Sequence, residues 1–398
     1  MSKSKPKSSS IILRISQEDN LLLDVKSKIL KTNKSKLLLN GAFNYWGDSD
    51  KEWSDKLLKL YQVSDINKTQ IVDMVFAYYR RTGYPHRKLF NQDMIKIMHT
   101  LSSTKNPLIG DDHLQTNNVG IPVASCFHPH MMKVRCLSRY LSPSELYNND
   151  EKFKDAINRC FELGNKPTES NIRRILRTRD GVRSVVNFKP VIAKYIYQNY
   201  APINGKVLDP CAGYGGRLTG LISTNKNLLY HGVDPCPETV VGNTQLAAFY
   251  SRLYEPITKE LQWKFRFRHD LGCAEDVLPN LPDKEYDLVF TSPPYFNVEQ
   301  YDNLPNQSYL RYPDYESWRD KFLAILVKES CRVSRQYVVL NVKNYKNYTI
   351  ADDTIKLAEQ MGYKLYKTYH MRLANSEFHR KEGDPTYHVE PIYVLVGE

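Results

Sequence analysis

From about residue 181 onward, short apolar runs alternate with stretches of helical spacing, and two of those runs empty into loops of unusual composition. Lys206–Leu208 runs into Asp209-Pro210-Cys211-Ala212-Gly213-Tyr214-Gly215-Gly216, and Leu228–Val233 ends at Asp234. Further strands are expected at Lys264–Arg268, Tyr286–Phe290, Gln336–Val342, Tyr363–His370 and Ile392–Val396. Seven strands separated by helices predict an α/β fold built on a parallel, doubly wound sheet. In such a sheet, ligands bind beyond the carboxyl ends of the strands, near the point where strand order reverses.

Both loops fall at such ends. The glycines at 213, 215 and 216 permit close backbone approach to a ligand, a helix is expected from about Arg217, and Asp234 follows Gly215 by 19 residues, where a carboxylate accepts hydrogen bonds from a ribose. Nicotinamide enzymes share that arrangement, so the glycine turn alone selects only a nucleoside cofactor. The second loop is more selective. Thr291-Ser292-Pro293-Pro294-Tyr295 leaves the fourth strand 82 residues after Asp209, and it presents a hydroxyl, a rigid carbonyl and an aromatic face at one spot. A dehydrogenase has no need of these groups there, whereas a flat heterocycle held by its exocyclic amine does. A plain turn is the alternative, and the position at a strand end argues against it.

The chain of 398 residues is long enough for two or three domains, and its 41% hydrophobic content is ordinary for a globular protein. No run of 18 apolar residues is present, which argues against a membrane span. Residues 1–20 read as a flexible basic tail without the pattern of a secretory signal. Seven cysteines with no Cys-x-x-Cys pair point to a reducing intracellular compartment, cytoplasmic, nuclear or that of a virus-infected cell, and to neither a disulfide framework nor a zinc ribbon. His128-Pro129-His130 lacks further ligands at metal-binding spacing, so a packed role is expected and no metal.

The net charge of +12 is unevenly spread. Residues 1–180 carry 30 Lys and Arg against 19 Asp and Glu, whereas residues 181–398 carry 26 against 25. A basic footprint separate from a pocket suits a nucleic-acid enzyme, because phosphate contacts position the substrate while the pocket does the chemistry; a merely solvated basic face is the competing reading. Residues 21–180 are expected to be mainly helical, with a helix over Ile71–Tyr79 broken at Gly83-Tyr84-Pro85 and a loop over Asn106–Gly120. A helix–turn–helix follows over Phe153–Arg179, its second helix capped by Thr168 or Ser170 and bearing Arg173, Arg174, Arg177 and Arg179.

Residues 181–398 resemble the amino-methyltransferases that modify DNA at cytosine-N4 or adenine-N6, whose signature is Asp/Asn/Ser-Pro-Pro-Tyr/Phe/Trp. Asn187-Phe188-Lys189-Pro190 is similar to the segment flanking the family's cofactor site, Asp209–Gly216 to its glycine loop and Thr291–Tyr295 to its catalytic loop, in the gamma-type order. The resemblance implies a Rossmann-like class I methyltransferase sheet, S-adenosyl-L-methionine as cofactor, and double-stranded DNA with a flipped base as partner. It implies Ser292, Pro293, Pro294 and Tyr295 as catalytic, and Lys189, Pro190, Asp209, Pro210, Ala212, Gly213, Gly215, Asp234 and Thr291 as cofactor-binding.

The family's Gly-Asp at the third strand's end is replaced here by Gly272-Cys273-Ala274-Glu275-Asp276, so either Glu275 or Asp276 takes that carboxylate's place. About 100 residues follow the catalytic loop and they are consumed by strands, which assigns DNA reading to residues 21–180, through Arg173, Arg174 and Arg177. Arg311, just past the catalytic loop, is a further candidate for a phosphate contact. The Ser at 292 favours cytosine-N4 over adenine-N6 by analogy within the family. C5-cytosine chemistry is disfavoured, because Pro210-Cys211 and Pro235-Cys236 lie at the cofactor strands. An RNA or modified-base methyltransferase, and a non-catalytic nucleic-acid-binding protein on the same scaffold, are the alternatives.

Overall fold

A computed structural model describes residues 57–59, 61–62, 68–253, 260–301, 304–345, 347–372 and 389–397. The tail expected at 1–20 lies outside the described residues. In chain order the strands are β1 Leu108–Ile109, β2 His113–Leu114, β3 Arg135–Cys136, β4 Lys206–Asp209, β5 Leu229–Asp234, β6 Arg266–Leu271, β7 Tyr286–Thr291, β8 Glu299–Gln300, β9 Ser334–Asn341, β10 Tyr363–Arg372 and β11 Val389–Gly397. The main sheet runs β1-β2-β10-β11-β9-β7-β4-β5-β6, and β3 pairs with β8 in a separate two-stranded ribbon.

Strands β4, β5, β6, β7 and β9 are mutually parallel, and β11 inserts antiparallel between β9 and β10. The order departs from the simple doubly wound arrangement by that reversed last strand and by the short β1–β2 hairpin added at the β10 edge, and it is the Rossmann-like class I methyltransferase sheet. The reversal of strand order between β4 and β7 puts the ends of these two strands, Asp209 and Thr291, side by side. Asp209 and Thr291 carry the glycine loop and the Ser-Pro-Pro-Tyr loop.

Alternation along each strand divides two cores between the faces of the sheet. Val207, Leu288, Phe290, Val339, Ile392 and Val394 face one layer, built on helices Pro190–Tyr200, Gly216–Thr224 and Pro237–Tyr250. Leu208, Val289, Val338, Leu340 and Leu395 face the other, built on helices Ala324–Val333 and Ile350–Gln360.

The described residues divide into two compact units, one drawn from residues up to 86 and from 144–180 and one from 87–143 and from 181 onward. Residues 87–143, grouped by the sequence reading with the basic N-terminal region, therefore pack with the sheet. Met94, Met98 and Leu101 of helix Asn91–Ser103 join the sheet's core, and the buried Lys194 ammonium donates to the carbonyls of Leu101, Ser102 and Thr104 at 2.9, 2.6 and 3.0 Å. Those three bonds close the helix's carboxyl end with a cation, where the macrodipole is negative. This segment brings 7 Lys and Arg against 3 Asp and Glu, so part of the positive surplus belongs to the sheet unit.

In the other unit, helix Lys68–Thr82 ends at Gly83, whose φ of 86° only glycine adopts easily. Helices Asp150–Glu162 and Glu169–Thr178 form the expected hairpin, and the Thr168 hydroxyl accepts from Asn171 N at 3.3 Å, which makes Thr168 the cap. Ile172, Ile175 and Leu176 bury one face of the second helix at spacings of three and four.

Candidate active site

The loop leaving β4 is shaped by glycine where nothing else fits. Gly215 has φ 76°, and a Cβ on Gly216 would stand 2.3 Å from the Phe188 carbonyl oxygen. The second contact locks Asn187–Lys189 onto the loop, and this segment, together with Pro210, Ala212 and Gly213, lines one end of a cavity. Asp234, at the end of β5, completes that end. Its Oδ2 accepts from Gly213 N and its Oδ1 from Cys236 N, both at 2.9 Å. Burial drives the Asp234 carboxyl up to about 6, against the lowering pull of those two N–H donors.

Asp209 and Thr291, expected to hold the cofactor, are withdrawn from the cavity and do a different job. Asp209 is fully buried and accepts from Arg217 Nε at 2.8 Å, Arg217 Nη2 at 3.1 Å, Tyr230 Oη at 2.7 Å and Thr291 Oγ1 at 2.8 Å. Thr291 Oγ1 in turn accepts from Cys211 N at 3.1 Å, and Arg217 reaches the Cys211 carbonyl. The network clamps β4, β5 and β7 together directly beneath the two loops. Pro190 and Gly215 also lie behind the lining: one starts helix Pro190–Tyr200, the other caps helix Gly216–Thr224.

Glu275 and Asp276, the two candidates for the cofactor carboxylate, differ in burial. Glu275 lines the cavity with its side chain 3% exposed, whereas Asp276 is 57% exposed and outside it. Both are held by Arg311, whose Nη1 lies 2.8 Å from Glu275 Oε1 and 2.7 Å from Asp276 Oδ2. Arg311, expected as a phosphate contact, is thus paired with two carboxylates. Burial raises the Glu275 carboxyl above its ordinary range, and Arg311 opposes the shift.

Ser292, Pro293, Pro294 and Tyr295 line the same cavity. The Tyr295 hydroxyl donates to Glu390 Oε1 at 2.8 Å, and burial, then Glu390, holds its pKa far above normal while the Ser292 hydroxyl beside it pulls the other way. Phe296 turns the chain back with φ 52°, a left-handed conformation costly for a bulky residue, and it is pinned by rings of Tyr315, Trp318 and Tyr348 with centroids 5.2–5.9 Å away. That reversal carries the following residues over the cavity, where Leu137 N donates to Val298 O at 2.7 Å and β8 pairs with β3. Glu299 and Tyr301 then join the lining.

Sequence reasoning missed Glu299, Tyr301, Tyr214, Asn306, Arg217 and Glu390. Glu299 and Tyr301 lie only four and six residues past Tyr295, so an extended view of that loop would have found them. Glu390 comes from β11, 95 residues away, and no sequence signal marks it. His130 also reaches the cavity and its Nε2 lies 3.1 Å from Thr239 Oγ1, while His128 is buried with Nδ1 2.8 Å from the Ala124 carbonyl. No group of three His, Cys, Asp or Glu suited to a metal ion occurs among the described residues. All seven cysteines are free, and no described helix is long and apolar enough to cross a membrane.

The basic residues of helix Glu169–Thr178 belong to the other unit. Arg174 is exposed, and Arg173, half-buried, donates to the Pro85 carbonyl at 3.0 Å; Arg177 is half-buried too. Arg179 pairs with Asp155 at 2.6 Å.

No family model matches the chain, and no curated protein does. Among solved structures it is similar to TrmN from Thermus thermophilus, at 13% identity over 53% of this chain and 49% of that one, with a TM-score of 0.35. It thus spans about half the length of that protein. It is also similar to magnesium protoporphyrin IX methyltransferase (ChlM) from Synechocystis PCC 6803 with bound SAH, at 12% identity over 52% and 80% of the two chains and a TM-score of 0.31. A putative RNA methyltransferase from Pyrococcus horikoshii is 12% identical over 52% and 82%, with a TM-score of 0.31. At these values the functional reading rests on strand order and on the cavity itself.

Proposed function

We propose that the protein transfers a methyl group from S-adenosyl-L-methionine to the exocyclic amine of a base in DNA, with cytosine-N4 favoured over adenine-N6. One observation carries the reading: the glycine-loop end and the Ser-Pro-Pro-Tyr end open onto a single cavity at the carboxyl ends of β4, β5 and β7. The residues at the first end fit the cofactor. Asp234 offers a carboxylate for ribose hydroxyls, Gly213 and Ala212 offer backbone without bulk, and Glu275 stands where an adenine amine would be met. When bound, S-adenosylmethionine supplies an electrophilic methyl.

The chain's own work is to hold a poor nucleophile in place, since the lone pair of an aromatic amine is delocalised into its ring. Ser292 Oγ and the Pro293 carbonyl accept the amine's N–H bonds, which favours a pyramidal nitrogen, and the Tyr295 ring supplies a stacking face for an extruded base. Helix Glu169–Thr178, with Arg173, Arg174 and Arg177, is the proposed phosphate-contacting element.

The test is to incubate the protein with labelled cofactor and either DNA or RNA, digest the nucleic acid to nucleosides and identify the methylated one by mass. N4-methylcytosine is expected, and Ser292→Ala is expected to lower turnover at least tenfold while leaving cofactor affinity unchanged. Label appearing only in RNA would favour the RNA reading. Cofactor binding without label in either nucleic acid would leave the scaffold without this activity.

A further inference from the structure

The wall of the cavity beside Ser292 and Tyr295 holds two carboxylates, each hydrogen-bonded through one oxygen. Glu390 Oε1 takes the Tyr295 hydroxyl at 2.8 Å and also lies 3.9 Å from the Lys343 ammonium. Glu299 has no cation within ion-pair distance among the described residues. Oε2 accepts from the Tyr301 hydroxyl, and Oε1 has no hydrogen-bond partner among the described residues. The residue does not sit on a loose loop, because the Phe296 reversal and the pairing of Cys136 with Glu299 across β3 and β8 fix its backbone.

We propose that Glu299 is the specificity-determining residue of the target pocket, its Oε1 sharing one of the amine's two N–H bonds with the Pro293 carbonyl while Ser292 Oγ takes the other, so that an exocyclic amine is admitted and a carbonyl at the same ring position is rejected. The proposal rests on the base-amine reading above and adds how that amine is chosen. A carboxylate can only accept, so it pairs with the amine of cytosine or adenine. Against the carbonyl oxygen of uracil or hypoxanthine it sets two acceptors face to face with no proton between them, and a buried unpaired acceptor is costly. Tyr301 fixes the carboxylate's orientation, and its single proton is already given to Glu299. Burial, and after it the neighbouring Glu390, raises the Glu299 carboxyl above its ordinary value, while the Tyr301 hydroxyl and Lys343 oppose the shift and favour the charged acceptor.

The experiment compares the affinity of the full chain for short single-stranded oligodeoxynucleotides carrying one central cytosine or uracil, and one central adenine or hypoxanthine, by fluorescence anisotropy. The parent is expected to prefer the amine member of one pair by about ten- to a hundredfold. Glu299→Gln is the informative variant, since a carboxamide can accept from an amine or donate to a carbonyl; its preference is expected to fall below about threefold. Tyr301→Phe leaves the carboxylate in place but unfixed and is expected to give an intermediate preference, which guards against misfolding of the first variant. Equal discrimination by the parent and by Glu299→Gln would overturn the proposal, as would a parent that binds amine and carbonyl alike. Methylated nucleoside from the parent, measured separately by mass, keeps the proposed activity standing in either case.

Discussion

Asp234→Asn changes one charge and one acceptor at nearly constant shape, and its consequences can be worked through. In the parent both carboxylate oxygens are used, by Gly213 N and Cys236 N at 2.9 Å each, within a site only 9% exposed. Burial lifts the carboxyl from its ordinary 3.8 to about 6. Because the folded value lies above the unfolded one, this group's contribution to stability is full below about 3.8 and is lost as pH rises through about 6, a change of about 3 kcal/mol. Ribose hydroxyls reverse the preference, since charge-assisted hydrogen bonds favour the ionised form by about 1.5–3 kcal/mol in total.

Cofactor affinity of the parent should therefore be greatest above pH 6 and fall by up to about tenfold per pH unit below it, until the interaction energy is exhausted. In Asp234→Asn the affinity at pH 8 should be about 10- to 150-fold lower, and it should no longer vary between pH 5 and 7. Calorimetric titration of S-adenosylmethionine from pH 5 to 8, beside thermal unfolding of both unliganded proteins, measures both effects. A folded Asn variant that binds as tightly as the parent at pH 8, or a parent affinity that is flat from pH 5 to 7, would refute the assignment of Asp234.

Arg217→Met strands Asp209 as a buried charge without its cation, and it should cost about 3–5 kcal/mol in denaturant unfolding at neutral pH; a loss under 1 kcal/mol would show that the pair is not the clamp described. Phe296→Ala loses the aromatic packing and keeps the left-handed strain, whereas Phe296→Gly loses only the packing, so the glycine variant should be the more stable of the two by about 1 kcal/mol, and the reverse order in urea would contradict the strain. Replacing Arg173, Arg174 and Arg177 by Gln should lower the slope of log DNA affinity against log salt by roughly 0.9 for each phosphate that is no longer neutralised, with cofactor affinity unchanged; an identical slope would assign the phosphate path elsewhere.

Much of this protein was legible in its sequence because the signals are local. Val207-Leu208, Leu288-Val289-Phe290 and Val338-Val339-Leu340 are apolar on consecutive positions because both faces of their strands are covered, and a buried parallel strand must read that way. Gly215 and Gly216 are demanded by a backbone angle and by a contact with Phe188, and Thr168 by its own cap.

What the tertiary structure decided depends on partners distant in sequence. Asp209 reads as a ligand from its place at a strand end, yet Arg217, Tyr230 and Thr291 together consume its oxygens and turn it into a clamp. Arg311 reads as a free cation until Glu275 and Asp276 close on it. Helix Asn91–Ser103 reads as part of a basic N-terminal region, but Met94, Met98 and Leu101 lose more water against the sheet than charge pattern alone can reveal. The acceptor end of the cavity is the clearest case. Glu390 comes from the last strand and Glu299 from a reversal held by the buried Phe296, so their meeting at Tyr295 exists only because β11 inserts beside β9 and the chain turns left-handed at one residue.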